Sequence, residues 1–184
     1  MDVSRFSTDD IEQRVSKKSF GTPLITNVLR GVVAEAIIAC ALEPEWTWCS
    51  ADYASWDFER GDGVKLEVKQ SAARQSWTKA DGKPSVAGFD IAPRKGYWVN
   101  GETWVPTPGR AADIYIFAHH PVADESADHR APEQWDFYVV ATADLPDTRR
   151  ISLVSLQRLT GSCCFTELRA AVVAIAAKAK AKAQ

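Results

Sequence analysis

Residues Tyr53–Ser71 read YASWDFERGDGVKLEVKQS, and this stretch decides the fold. Val64, Leu66 and Val68 alternate with Lys65, Glu67 and Lys69, a period of two that predicts a strand with one apolar and one charged face. Trp56, Asp57 and Phe58 carry the same alternation upstream. Between the runs, Gly61-Asp62-Gly63 supplies the positive φ that a short hairpin loop needs. A loop over 61–63 pairs Arg60 with Val64, Glu59 with Lys65 and Asp57 with Glu67. Directly opposed side chains have Cβ atoms roughly 4.5–5.5 Å apart, and like charges there are destabilising. A divalent cation is the simplest compensation. Two hard carboxylate oxygens suit Mg²⁺, Mn²⁺ or Ca²⁺, and the Val68 carbonyl is a further oxygen nearby.

Working outward, Thr22-Pro23 predicts an N-cap and a first helical residue, with the helix running to about Leu42 and stopping before Glu43-Pro44. Leu24, Val28, Gly31, Glu35, Ile38 and Leu42 recur at helical spacing, so Glu35 falls inside an apolar stripe. A carboxylate there is costly unless it is paired or metal-associated. The alternative is a glutamate at the stripe's edge that reaches solvent or an arginine.

Asp57, nine intervening residues, then Glu67-Val68-Lys69 resembles the signature of the PD-(D/E)xK nuclease superfamily, which includes many restriction endonucleases and archaeal Holliday-junction resolvases. The resemblance covers roughly residues 22 to 71, and Trp56 stands where the motif's name puts proline. It implies an α/β fold with a restriction-endonuclease-like core: a central mixed β-sheet containing a β-meander and flanked by helices. It further implies a metal-dependent endonuclease that hydrolyses phosphodiester bonds in DNA. Asp57, Glu67 and the Val68 carbonyl would hold Mg²⁺ or Mn²⁺, and Glu35 would complete the metal shell directly or through water. Lys69 would orient the attacking water and offset charge in the transition state. A homodimer is the default assembly by resemblance alone.

The rest of the chain sets bounds on that reading. At 184 residues, 46% of them hydrophobic, it suits a single domain spanning 1–184. Residues 1–20 read as a polar lead-in with a helix around Asp9–Lys18. With no run of eighteen apolar residues and a polar start, neither a membrane span nor a signal peptide is expected. Cys40, Cys49, Cys163 and Cys164 lack zinc spacing and read as reduced thiols of a cytoplasmic protein.

Charge is uneven along the chain. Residues 1–67 carry 7 Lys+Arg against 12 Asp+Glu, while residues 68–110 carry 7 against 3. The basic stretch coincides with a Trp/Gly/Pro-rich insertion, 71–110, with short strands expected at Val86–Ile91 and Tyr97–Val105. Arg74, Lys79, Lys83, Arg94 and Lys95 are the candidate nucleic-acid contacts, since phosphates are met mainly by Lys and Arg. Trp77 and Trp98 are either stacking surfaces or core.

Strands are expected at Trp46–Tyr53, Ala112–Ala118 and Trp135–Ala141, and helices at Ser152–Leu159 and from about Phe165 to Ala177. His119-His120 is an unpromising metal pair, because adjacent strand residues point to opposite faces. Gln70 points away from Lys69 for the same reason. Two rival readings remain: a noncatalytic DNA-binding or assembly module on the same fold, and an ordinary α/β domain whose Glu59–Lys65 and Asp57–Lys69 are surface ion pairs worth at most about 1 kcal/mol each.

Overall fold

The computed structural model describes residues 6–49, 55–78, 82–99 and 102–183, with side chains as far as Lys178. The protein is a mixed α/β fold around a five-stranded sheet. Helix α1 (Thr8–Phe20) and helix α2 (Asn27–Leu42) lead into strands β1 (Trp46–Trp48), β2 (Phe58–Arg60) and β3 (Lys65–Ala72). Three short strands follow, β4 (Gly88–Asp90), β5 (Tyr97–Val99) and β6 (Thr103–Val105). Then come the long strands β7 (Ile114–His120) and β8 (Asp136–Ala141), strand β9 (Arg150–Ser152), and helices α3 (Leu153–Gln157) and α4 (Leu168–Ala183).

The sheet order is β1-β2-β3-β7-β8. β1, β2 and β3 form an antiparallel meander, β3 and β7 run parallel, and β8 returns antiparallel. Both faces are buried, which is why Ile114–Ala118 of β7 reads as an unbroken apolar run and not as an alternation. On one face Phe58, Leu66, Val68, Ile116 and Val139 pack against Ile38 and Leu42 of α2 and Val172 of α4. On the other, Tyr115, Phe117 and Tyr138 pack against Phe89, Ile91, Ile151 and Leu156. Phe58 and Leu66 are each fully buried, a contribution of about 1.5–3 kcal/mol apiece.

The hairpin has the expected register: Phe58 faces Leu66, Glu59 faces Lys65, and the Arg60 amide donates to the Val64 carbonyl at 2.9 Å. Gly63 has φ of 84° and closes the turn.

Several expected boundaries shift. α2 begins at Asn27, with Thr26 at its N-cap position, and not at Thr22-Pro23. A distant partner holds the preceding chain out of the helix: the Ile25 amide donates to His129 Nδ1 at 3.0 Å, and the His129 amide donates to the Pro23 carbonyl at 2.9 Å. The apolar stripe rotates with it. Val28 is 85% exposed, and the buried face is Arg30, Ala34, Ile37, Ile38, Ala39 and Leu42. β1 ends at Trp48, Cys49 falls outside the strand, and the rest of the expected strand, 50–53, lies outside the described residues.

Tyr97–Val105 is a two-stranded hairpin, with Trp98 opposite Trp104, and not one strand. β4 pairs with β9 in a separate small ladder, so the 71–110 segment builds structure of its own. α1 has no buried residue. A capping box between Ser7 and Asp10 satisfies its first turn.

Candidate active site

β3 is the element that positions the site. Its even residues Leu66 and Val68 face α2, so Glu67 and Lys69 project from the opposite face, beside Tyr115 and Phe117 of β7. Asp57 joins them from the chain just ahead of β2. Its amide donates to the Leu66 carbonyl at 2.9 Å, and its Oδ2 accepts from the Val68 amide at 2.6 Å. A strand residue's N–H and C=O point the same way, so the Val68 carbonyl also lies on the Asp57 side. Lys69 Nζ is ion-paired with Glu67 Oε1. Asp57, Glu67 and Lys69 border a cleft of about 270 Å³ whose rim carries Arg94, Tyr97, Trp98 and Arg110.

The electrostatics show an excess of acid. Burial, then the charges of Glu67 and Glu35, push the Asp57 carboxyl up to about 7, against the opposing hydrogen bond from Val68 and the charge of Lys69. Glu35 is also raised, chiefly by burial and partly by Glu67, while a hydrogen bond from Trp48 Nε1 at 3.0 Å opposes the shift. The structure thus brings Asp57, Glu67 and Lys69 together and leaves Glu35 at the margin. Glu35 lies near enough to influence Asp57, but it sits on the α2 side, is held by Trp48 and does not line the cleft.

The donor set suits a hard divalent cation, being carboxylate and carbonyl oxygen around an undercompensated acid pair. Among the described residues no group of three or more His, Cys, Asp or Glu side chains is assembled to hold a metal. Asp57 and Glu67 are thus two carboxylates, not three, with the Val68 carbonyl on the same side, and Glu35 is within electrostatic reach.

The ion pairs of an ordinary surface hairpin are replaced by other contacts. Lys65 Nζ lies 3.8 Å from the centre of the Trp56 ring, and Glu59 Oε2 accepts from Trp56 Nε1 at 3.0 Å. Lys69 is bound to its strand neighbour Glu67 and not to Asp57.

The candidate nucleic-acid contacts scatter. Arg94 lines the cleft and donates to Asp90 at 3.1 Å, and Lys95 is exposed next to it. Lys83 is exposed but lines neither this cleft nor its neighbour. Arg74 lines neither cleft, and its Nε is buried without a hydrogen-bond partner. Lys79 lies outside the described residues. Trp77 is 67% and Trp98 38% exposed, so neither belongs to the core. His119 and His120 are both buried and on opposite faces, with the His120 ring against His129 and Trp135 at 4.9 and 5.1 Å.

Two residues escaped the reading of the sequence. Arg110 reaches the cleft while donating to the carbonyls of Ile91 and Pro146. Arg30 is buried on α2, and its spacing of four before Ala34 and eight before Ile38 is the signal that points to it. Among the described residues no helix is long and apolar enough to cross a membrane. No protein-family model matches the chain, and no curated protein sequence matches it.

Proposed function

We propose that the protein is a metal-dependent endonuclease acting on DNA, with a restriction-endonuclease-like core of the PD-(D/E)xK type. The observation that carries this reading is the Asp57–Glu67 pair. Two carboxylates border one cleft beside Lys69, and burial, then the charges of Glu67 and Glu35, drive the Asp57 carboxyl up to about 7. Asp57, Glu67 and the Val68 carbonyl would hold Mg²⁺ or Mn²⁺. When bound, such an ion lowers the pKa of water and neutralises phosphate oxygens.

The chain's own groups do the rest. Lys69, released from Glu67, presents its ammonium to the attacking water and to charge that develops in the transition state. Arg94 and Arg110 at the rim hold the phosphate backbone, and Tyr97 and Trp98 wall the cleft beside it. A homodimer in the cytoplasm belongs to the same proposal.

The second reading is a noncatalytic DNA-binding or assembly module on the same fold. The Lys69–Glu67 ion pair favours it, because it closes the cluster on itself. Single-turnover cleavage of supercoiled and branched DNA, with Mg²⁺ and with Mn²⁺, separates the two. The parent should cut, and Lys69→Met should bind equally well but cut at least about a hundredfold more slowly, because its charge acts on the transition state. A parent that binds duplex or branched DNA and never cuts supports the module. Equal cutting by both proteins removes Lys69 from the mechanism.

A further inference from the structure

Arg30 is a buried charge without a counter-charge. It is 1% exposed. Its Nε donates to Gln70 Oε1 at 2.6 Å, Nη1 to Gln75 Oε1 at 2.7 Å and Nη2 to Asn27 Oδ1 at 2.6 Å. All three acceptors are neutral amides. Among the described residues Arg30 forms no ion pair. Burying a charge without an opposite one costs several kcal/mol, a cost that an anion held nearby would offset.

The amides record which way that anion lies. Arginine has no acceptor, so each amide must turn its oxygen inward and its NH₂ away from the guanidinium. The Gln75 NH₂ is taken by the Ala72 carbonyl at 2.7 Å. Gln70 Nε2 has a long 3.5 Å contact with Asn27 Oδ1, and Gln70, Asn27 and Arg30 all line a second cleft of about 570 Å³. Ser71 and Arg150 also line it. Lys69 and Asp90 border both clefts, so the two are contiguous. Lys69 is paired with Glu67 and Asp90 with Arg94, which leaves Arg30 and Arg150 as the net charge. Asn27 is also the first residue of α2, where the helix dipole favours an anion.

We infer that this second cleft is an oxyanion site for a backbone phosphate of a polynucleotide strand, next to the phosphate that occupies the Asp57–Glu67–Lys69 cleft. The identity of the strand rests on the nuclease reading; the oxyanion chemistry does not. The phosphate oxygens accept from Gln70 Nε2, Asn27 Nδ2 and Arg150. Arg30 acts beneath them as a positioning residue that supplies charge and locks both amides.

The decisive variant is Asn27→Asp, which places the missing carboxylate beside Arg30 with almost no change of shape. It should raise Tm and at the same time weaken binding of a short fluorescein-labelled duplex, measured in EDTA, by about tenfold, with the salt slope reduced by about one counterion. Gln70→Glu should weaken binding similarly. Arg150→Ala, at an exposed position, should weaken it severalfold and leave Tm unchanged. Asp57→Asn, in the same metal-free assay, should bind at least as tightly as the parent.

If Asn27→Asp and Gln70→Glu bind like the parent, or if the parent binds neither the duplex nor its single strand, the inference is overturned even if the parent cuts DNA. Loss of binding accompanied by a lowered Tm, with Arg150→Ala unaffected, overturns it too. A parent that never cuts, yet loses binding in these variants as described, refutes the nuclease reading and leaves the oxyanion site standing.

Discussion

The Val68 amide donates to Asp57 Oδ2 at 2.6 Å, a bond from the strand that carries Glu67 to the carboxylate opposed to it. It fixes where Asp57 points, so the two acids are held near each other whether or not anything neutralises them. A backbone donor lowers a carboxylate's pKa, yet the Asp57 carboxyl still stands at about 7, because burial and the charges of Glu67 and Glu35 outweigh it.

Cation binding should depend on that pair. In calorimetric titration with Mn²⁺, Asp57→Asn or Glu67→Gln should each weaken binding by at least about tenfold, roughly 1.4 kcal/mol. Binding must displace the Asp57 proton, so the parent's affinity should decline as pH falls below about 7. If both variants bind like the parent, the ligands lie elsewhere.

Arg94 and Lys95 should contribute affinity and no chemistry. Changing both to Ala should weaken duplex binding and lower the salt slope by up to about two counterions, with single-turnover cleavage at saturating protein unchanged. An unchanged slope places the backbone track elsewhere.

The hairpin turn offers a test free of side-chain contacts. Gly63 has φ of +84°, and a Cβ there would meet nothing within 4 Å. Gly63→Ala should therefore cost about 1 kcal/mol from backbone strain alone, read as a lower urea midpoint. A stability equal to the parent's would mean the turn relaxes.

His129 should give the protein an acid-sensitive clamp. Its Nδ1 accepts from the Ile25 amide and its Nε2 faces the Arg74 carbonyl at 3.1 Å, an arrangement that needs the neutral ring. Burial, then the nearby His120 and Arg30, lower its pKa to about 4 from an ordinary 6.5. The unfolded chain takes up the proton first, so the clamp contributes fully above about pH 6.5 and is lost as pH falls toward 4. Asp57 and Glu35 work in the opposite direction over that range, since their folded pKa values are raised. The comparison is therefore with His129→Gln, whose stability should fall less steeply between pH 6.5 and 4 in urea titrations. Parallel curves would refute the clamp.

The hairpin was legible in the sequence because its information is local. A Gly-Asp-Gly turn and a period of two set the register from within twenty residues, and the Asp57–Glu67–Lys69 grouping followed from it. The start of α2 was not legible, because residues 23–25 are held out of the helix by His129, a partner more than a hundred positions away. Arg30 was passed over for a related reason: its amide partners Gln70 and Gln75 lie forty and forty-five positions on. Without them only its helical spacing to Ala34 and Ile38 points to a buried position.

The parallel pairing of β3 with β7 has a consequence in time. Parallel neighbours cannot be joined by a tight turn, so the chain from Ala73 to Asp113 must travel back before β7 can dock. That return path is the stretch that supplies Arg94, Tyr97, Trp98 and Arg110 to the cleft. The centre of the sheet therefore closes only after a long loop has been ordered, which makes the search for the native topology slow relative to the local hairpin. Shortening the segment would strip the cleft of its rim and would also change the rate at which the whole sheet forms.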